Sequence, residues 1–316
     1  MNSLKKSKVL VTGATSYLGI RLIEQLENKV GQIIGITQNV QKRVLFSEGF
    51  GKKVKLFNLD IKNFYKTKIF IKKIKPDRII HLAAYSNADR DKQIIKKSME
   101  VNATGLINLL KSIEKTKINS VVNVSTVDVY GNARPPFSET SMASPISPYG
   151  IFKLSAENIA NLYYHVYNLP IVNLRLSMVY GCLQPPNKII PFIIESCIKR
   201  KKIKMTLGHQ TRDFIYVDDA VNAIIRASIS KSAFGKTFNI ASGQEISIRD
   251  LTKKISRLTK RSLRVSFGKL PMKKGDMISM RIKTDHAKKV LKWKAKTSLE
   301  NGLKKVIKSD KKIRWL

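Results

Sequence analysis

The sequence predicts an α/β protein: a doubly wound parallel sheet with a smaller, interleaved C-terminal α/β domain. Three observations predict it. Short apolar runs alternate with segments of helical period through the first 176 residues. A glycine-bearing turn separates the first run from the first helix. After residue 176 the alternation weakens, and a Lys-rich region with amphipathic patterns completes the chain.

Lys8–Thr12 reads as a short buried strand, and Leu18, Leu22, Ile23 and Leu26 then recur at helical spacing. Residues 33–36 and Val54–Asn58 give the second and third strands. Residues 78–82 give the fourth, after the turn formers Pro76 and Asp77. A helix is predicted over 99–114, with Leu106, Leu109, Leu110 and Ile113 on one side. Residues 121–124 form the fifth strand, 155–167 a helix stopped near Pro170, and Ile171–Leu176 the sixth strand. Strands alternating with helices imply right-handed βαβ units, and continuous apolar runs suit strands covered on both faces. The expected division is 1–176 with 214–235 in the sheet domain, and 177–213 with 236–316 in the smaller one.

Composition narrows the function classes. The chain has 316 residues, 60 Lys+Arg against 22 Asp+Glu, and a formal net charge of +38. It is 43% hydrophobic, which excludes a disordered basic tail. Lysines outnumber arginines 45 to 15, whereas bidentate phosphate grip favours arginine. The excess therefore reads mostly as lysine-rich surface, and nucleic acid is not the expected partner. Cys182 and Cys197 form no C-x-x-C, and the four histidines form no ligand pattern, so no metal is expected. No apolar run approaches the ~18 residues of a membrane span, and no export signal precedes the first strand. With unpaired cysteines, this points to the cytoplasm.

The turn after the first strand reads Gly13-Ala14-Thr15-Ser16-Tyr17-Leu18-Gly19. Gly13 allows a tight turn, Gly19 close helix packing, and the helix start offers N–H groups to a pyrophosphate. This is the sequence form of a Rossmann-type dinucleotide site. It resembles the T-G-x-x-G-x-x-G loop of the extended short-chain dehydrogenase/reductase family, with Ser16 in place of the middle glycine. The second strand ends at Thr37, where NAD-binding sites carry an acid. No carboxylate there repels a 2′-phosphate, and Lys42 and Arg43 follow, so NADP(H) is expected over NAD(H). Asp60 and Ile61 match the family position against adenine.

Tyr149 and Lys153 lie four apart at a helix start, which puts phenol and ammonium on one face. A neighbouring ammonium and an oxidised nicotinamide are expected to favour the phenolate. Around them, Ser125-Thr126-Val127-Asp128-Val129-Tyr130-Gly131 and Ser147-Pro148-Tyr149…Lys153…Glu157 resemble blocks of the NAD-dependent epimerase/dehydratase family. Further blocks follow in order: His81-Leu82-Ala83-Ala84 with Ser86 and Asp89-Arg90, Asn102 with Gly105, Leu174-Arg175 through Gly181, Arg212 to Asp219, and Lys273, Gly275, Asp276.

The resemblance implies catalysis by Thr126, Tyr149 and Lys153 on a nucleoside diphosphate sugar. It also implies cofactor contacts at Leu82, Ala83 and Ala84. Ser86 and Thr126 would face the sugar, and Arg212 the diphosphate. Lys273 and Asp276 would meet phosphate and nucleoside ribose. Met178 replaces an asparagine that binds diphosphate. The leading expectation is an epimerase using transient oxidation at C4, in polysaccharide or activated-sugar biosynthesis. Val127 and Asp128 stand where 4,6-dehydratases carry an acid or serine and then a glutamate. This disfavours dehydration, while a 4-keto-sugar reductase using NADPH is the near competitor. A non-catalytic RNA-binding relative is the alternative of another class. The resemblance also implies a homodimer, paired through the helices at 99–114 and 155–167.

Overall fold

The structure, a computed structural model, describes residues 4–38, 50–273 and 275–313. In chain order the strands are β1 (Lys8–Thr12), β2 (Gln32–Thr37), β3 (Val54–Asn58), β4 (Arg78–His81), β5 (Ser120–Thr126), β6 (Ile171–Leu176), β7 (Met178–Tyr180), β8 (Lys202–Lys204), β9 (Thr211–Tyr216), β10 (Thr237–Ile240), β11 (Glu245–Ser247) and β12 (Arg264–Ser266). The helices are α1 (Tyr17–Leu26), α2 (Phe64–Ile74), α3 (Ile95–Met99), α4 (Gly105–Ile113), α5 (Pro148–Tyr167), α6 (Ile189–Ile198), α7 (Val217–Ile229), α8 (Ile248–Thr259), α9 (Asp285–Val290) and α10 (Leu299–Ile313).

Seven parallel strands form the main sheet in the order β10-β6-β5-β4-β1-β2-β3. Strand order reverses between β1 and β4, so the carboxyl ends of β1 and β4 open the crevice that binds ligands in such sheets. Side-chain alternation feeds one core on each face. Val9, Val11, Ile80, Val122, Val124 and Leu174 pack toward α1 and α7. Leu10, Ile79, Val121 and Ile171 pack on the other face, under Leu106 and Leu109 of α4 and Ala156 and Ala160 of α5. On that second face, nearer the strands' carboxyl ends, the register aligns Thr12, His81, Asn123 and Asn173. This polar row is almost wholly buried.

The remaining strands make two small sheets, β11-β9-β7 and β12-β8. Two strand placements depart from the division read from the sequence. β10 joins the main sheet beside β6, although 236–316 was assigned to the smaller domain. All of β9 lies in the small sheet with β7 and β11, although the sheet domain was expected to resume at 214. Only α7 packs back on the main sheet. Apolar patterning marks a strand as buried but does not name its neighbour.

The helix expected over 99–114 is interrupted. A π-helical turn at Glu100–Thr104 joins α3 to α4. Its buried Asn102 accepts from the Tyr85 amide at 2.8 Å and donates to the Tyr85 carbonyl at 3.2 Å, pinning the loop after β4. Such π-turns are frequent at functional sites. Among the described residues, no helix is long and apolar enough to cross a membrane.

The helix whose start was read at Tyr149 and whose body was read over 155–167 runs from Pro148 to Tyr167, and Ser147 caps it by accepting the Gly150 amide at 3.1 Å. Its inner face carries Glu157, 1% exposed. Arg175 of β6 donates to this carboxylate from Nε at 3.0 Å and Nη2 at 2.7 Å, and the Ser125 hydroxyl of β5 donates to it as well. Arg175 also donates to the Tyr130 hydroxyl at 2.9 Å, which donates to Asn239 of β10 at 2.7 Å. Removing one member of a buried ion pair strands the other charge. We therefore expect Arg175→Leu to lose about 3–5 kcal/mol in urea unfolding, and Arg175→Leu with Glu157→Leu to lose less.

Candidate functional site

The glycine turn is shaped by contact. Gly13 has φ +67°, and a Cβ there would fall 2.9 Å from the Ala83 amide nitrogen. A Cβ on Gly19 would fall 2.4 Å from the Gly13 carbonyl oxygen. Ser16 does not need the freedom of the glycine it replaces: its φ is −71°, and its hydroxyl accepts the Gly19 amide at 3.0 Å. It is the N-cap of α1, leaving the first-turn amides of Tyr17 and Leu18 without intrahelical acceptors. This cradle at a helix start suits a pyrophosphate.

Around it, the Thr15 and Thr37 hydroxyls lie 2.6 Å apart. Thr12 Oγ accepts the Ala83 amide at 3.0 Å, which fixes the path of Leu82, Ala83 and Ala84 out of β4. Asp60 accepts the Lys62 amide at 2.9 Å, and Ile61 is buried beside Gly105. Lys42 and Arg43 lie outside the described residues.

Tyr149, in the first turn of α5, stands against Thr126 at the end of β5, and the Thr126 hydroxyl lowers the phenol's pKa. Lys153, one turn on and 2% exposed, donates to the Val124 carbonyl at 2.5 Å. Burial pushes this ammonium down to about 8, with Glu157 pulling the other way. The phenol departs from the expectation of a lowered pKa. Burial first and the Asp128 charge second push Tyr149 above the ordinary phenol range, and Thr126 only partly offsets them. The protein alone thus keeps the phenol protonated. A positive charge brought by a ligand would favour release of its proton.

Tyr17 was read as a cofactor contact. Its hydroxyl donates to the Val179 carbonyl at 2.7 Å, tying α1 to the smaller region, and the ring lies close enough to Tyr149 to raise its own pKa further. Val127 is 2% exposed and packs with Tyr130 and Phe137. Burial raises the Asp128 carboxyl, while Arg212, Arg90 and Lys188 oppose the rise. The sequence reading had given Arg90 and Lys188 no role. The Asp-Arg pair at 89–90 was the available signal for the first, and Lys188 had none.

On the substrate side the expected groups meet one another. Arg212 donates to Asp276 at 2.7 Å and to the Met277 carbonyl at 2.8 Å. Lys273 pairs with Asp89, and Arg90 donates to the Gly275 carbonyl at 2.8 Å. These contacts bring the loop after β4 to the 273–276 segment. The Lys273 pair is well exposed and adds little stability. Met178 is half-buried between two apolar clusters, and Ser86 is exposed on the loop after β4.

The sequence model of the family described as GDP-mannose 4,6 dehydratase matches residues 10–306. The chain belongs to the nucleotide-sugar epimerase/dehydratase family of extended short-chain dehydrogenases. Its chemistry is NAD(P)-dependent transformation of a nucleotide sugar. A UDP-glucuronate 4-epimerase of Thermodesulfobacterium geofontis is 29% identical over 96% of this chain and 95% of its own. The UDP-glucose 4-epimerase of Thermotoga maritima, solved with UDP-glucose, superposes with a TM-score of 0.89 at 26% identity, covering 96% of this chain and 99% of that one. The UDP-glucuronic acid 4-epimerase of Bacillus cereus, solved with UDP-glucuronic acid and NAD, gives 0.88 at 26% identity over 97% and 99%.

The expected preference for NADP(H) is corrected by this last structure and by others of the same enzyme, all holding NAD. The physical reason is visible at Thr37. Its hydroxyl is engaged with Thr15, so a missing acid on β2 is not by itself a 2′-phosphate site.

Because Ser16 serves as a cap, we expect Ser16→Ala to lose about 1 kcal/mol of unfolding free energy and Ser16→Gly only a few tenths. Chemical denaturation measures both.

Proposed function

We propose that this protein is a nucleotide-sugar 4-epimerase working with NAD on a UDP-sugar, in the supply of activated sugars for polysaccharide synthesis. One observation carries the choice of epimerase. Val127, where the dehydratase pattern places an acid or serine, is buried in an apolar cluster and offers no proton. The 4-epimerases of UDP-glucose and UDP-glucuronate among its relatives support the same reading.

Bound NAD supplies a hydride acceptor and donor and, when oxidised, a positive charge that favours release of the Tyr149 proton. Gly13, Thr15, Tyr17, Leu18, Gly19, Thr37, Asp60, Ile61 and the 82–84 segment form its bed, with Ser16 acting through the helix cap. Tyr149 takes the proton of the sugar C4 hydroxyl as that carbon is oxidised, and returns it on reduction of the other face. Thr126 holds the same oxygen with its hydroxyl. Lys153 keeps an ammonium beneath the nicotinamide ribose. Arg212 and Lys273 take the diphosphate, with Met178 beside it, Asp276 takes the nucleoside ribose, and Ser86 borders the sugar. The cofactor half is built on the main sheet and the sugar-nucleotide half on the small sheets.

A second reading, 4,6-dehydration, is favoured by Asp128 and by the 4,6-dehydratases among the relatives and in the family description. Burial pushes the Asp128 carboxyl upward, and it stands close enough to Tyr149 to act on the phenol. The reductase alternative leaned on NADPH and falls with that preference.

We further propose a homodimer through α3 and α5. Ile95, Met99, Leu162 and Val166 stand 43–57% exposed there, an unusual apolar content for a free face. Light scattering is expected to give twice the chain mass, and Leu162→Glu with Val166→Glu to give one.

Incubation of UDP-glucose or UDP-glucuronic acid with enzyme and NAD is expected to yield the 4-epimer by NMR, with no accumulating NADH. Loss of the C6 hydroxyl would instead identify the dehydratase. Tyr149→Phe is expected to lower kcat by about 10²–10⁴-fold.

A further inference from the structure

We propose that His81 and Asn123 together hold one buried water against the Lys153 ammonium, and so set that lysine's position and charge. Both are positioning residues, and the proposal rests on the role given to Lys153 above.

His81 closes β4 and is 0% exposed, as is Asn123 in the middle of β5. The parallel register pairs the two residues, so their side chains leave the sheet side by side toward α5. Each carries a buried polar atom with no partner among the described residues: His81 Nε2 and Asn123 Oδ1. The other ends of both side chains are engaged. Asn123 Nδ2 donates to Asn173 Oδ1 at 2.8 Å, and Asn173 donates in turn to Asn161 of α5 at 3.0 Å.

His81 Nδ1 lies 2.9 Å from Thr12 Oγ, which already accepts the Ala83 amide. With the Thr12 hydroxyl proton assigned to Nδ1, the neutral ring carries its own proton on Nε2. Burial, reinforced by the nearby Lys153 charge, pushes His81 down to about 3, which keeps the ring neutral.

The row therefore presents one orphan donor and one orphan acceptor side by side, next to an ammonium with protons to give. Two such groups left unpaired in the interior destabilise the fold. One water satisfies all three: it accepts from His81 Nε2 and from Lys153 Nζ, and donates to Asn123 Oδ1. Lys153 then has a second acceptor besides the Val124 carbonyl, which fixes its azimuth and favours its charged form.

The charged and titratable groups facing Lys153 are Glu157 and Tyr149 on its own helix and His81 on β4. Arg175 on β6 is neutralised by Glu157, and Asp128 acts across Tyr149. β5 contributes only neutral groups. Loss of the water removes an acceptor for the ammonium, so Lys153 deprotonates at lower pH.

The test has two arms. A high-resolution crystal structure of the wild-type protein is expected to show an ordered water within about 3.2 Å of His81 Nε2, Asn123 Oδ1 and Lys153 Nζ. In kcat–pH profiles, the alkaline limb is expected to move down by about one pH unit in His81→Leu. It should return toward wild type in His81→Gln, whose amide reaches the Nε2 position. No water in reach of the three atoms, or a His81→Leu profile superposing on wild type, overturns the proposal. Should His81→Leu not fold, the wild-type crystal structure decides alone. If Lys153→Met and Tyr149→Phe retain activity, the catalytic reading fails, whereas the water is still seen or missed in the crystal.

Discussion

A single buried carboxylate ties the structure together. Glu157 sits on the inner face of α5, closed from solvent, and its charge is held by Arg175 on β6 and Ser125 on β5. Through Arg175 the same network reaches Tyr130 and Asn239, and so the turn after β5 and the outermost strand, β10. A charge taken so far from water is tolerable only with near-complete hydrogen bonding. That requirement fixes α5 in azimuth and in depth on the sheet. Tyr149 and Lys153 lie on the same helix face two turns and one turn earlier, so the ion pair that anchors the helix also aims them.

The electrostatics of the site follow from its depth. Burial disfavours charge on each ionisable group, and so raises Tyr149 and Asp128 while lowering Lys153 and His81. The protein by itself therefore holds a neutral phenol and a weakened ammonium. A positive charge brought beside the phenol would oppose the effect of burial and favour release of its proton. The positive surroundings of Asp128, from Arg90, Arg212 and Lys188, lie on the side where the loop after β4 meets the 273–276 segment. Closure of that meeting point and capture of a polyanion would draw on the same cations.

Much of this was legible in the sequence. The strand-turn-helix at 8–26 and the six early strands follow from apolar runs, and the Tyr149–Lys153 pair from a four-residue spacing. Local rules suffice there, because a parallel strand buried on both faces has to be apolar throughout. Ser16 was legible as a departure but not as a cap, since capping depends on backbone angles the pattern does not state. The NADP(H) expectation failed because it rested on the absence of an acid at Thr37, and related structures hold NAD.

The sequence by itself determined the fold class, the glycine turn between β1 and α1 and the Tyr149–Lys153 spacing, since each is written in residues close along the chain. Only the tertiary structure decided where β9 and β10 pair, which way the Tyr149 pKa moves, and that Arg212 meets Asp276 while Lys273 meets Asp89. The physical reason is shared. Strand neighbours, burial and charge pairs join residues separated by tens to hundreds of positions, and desolvation has no local signature in a chain. The polar row of Thr12, His81, Asn123 and Asn173 belongs to the same class. Each of the four reads as an ordinary polar residue ending or interrupting an apolar run. The register of the sheet makes them one layer facing α5, the helix that carries Lys153.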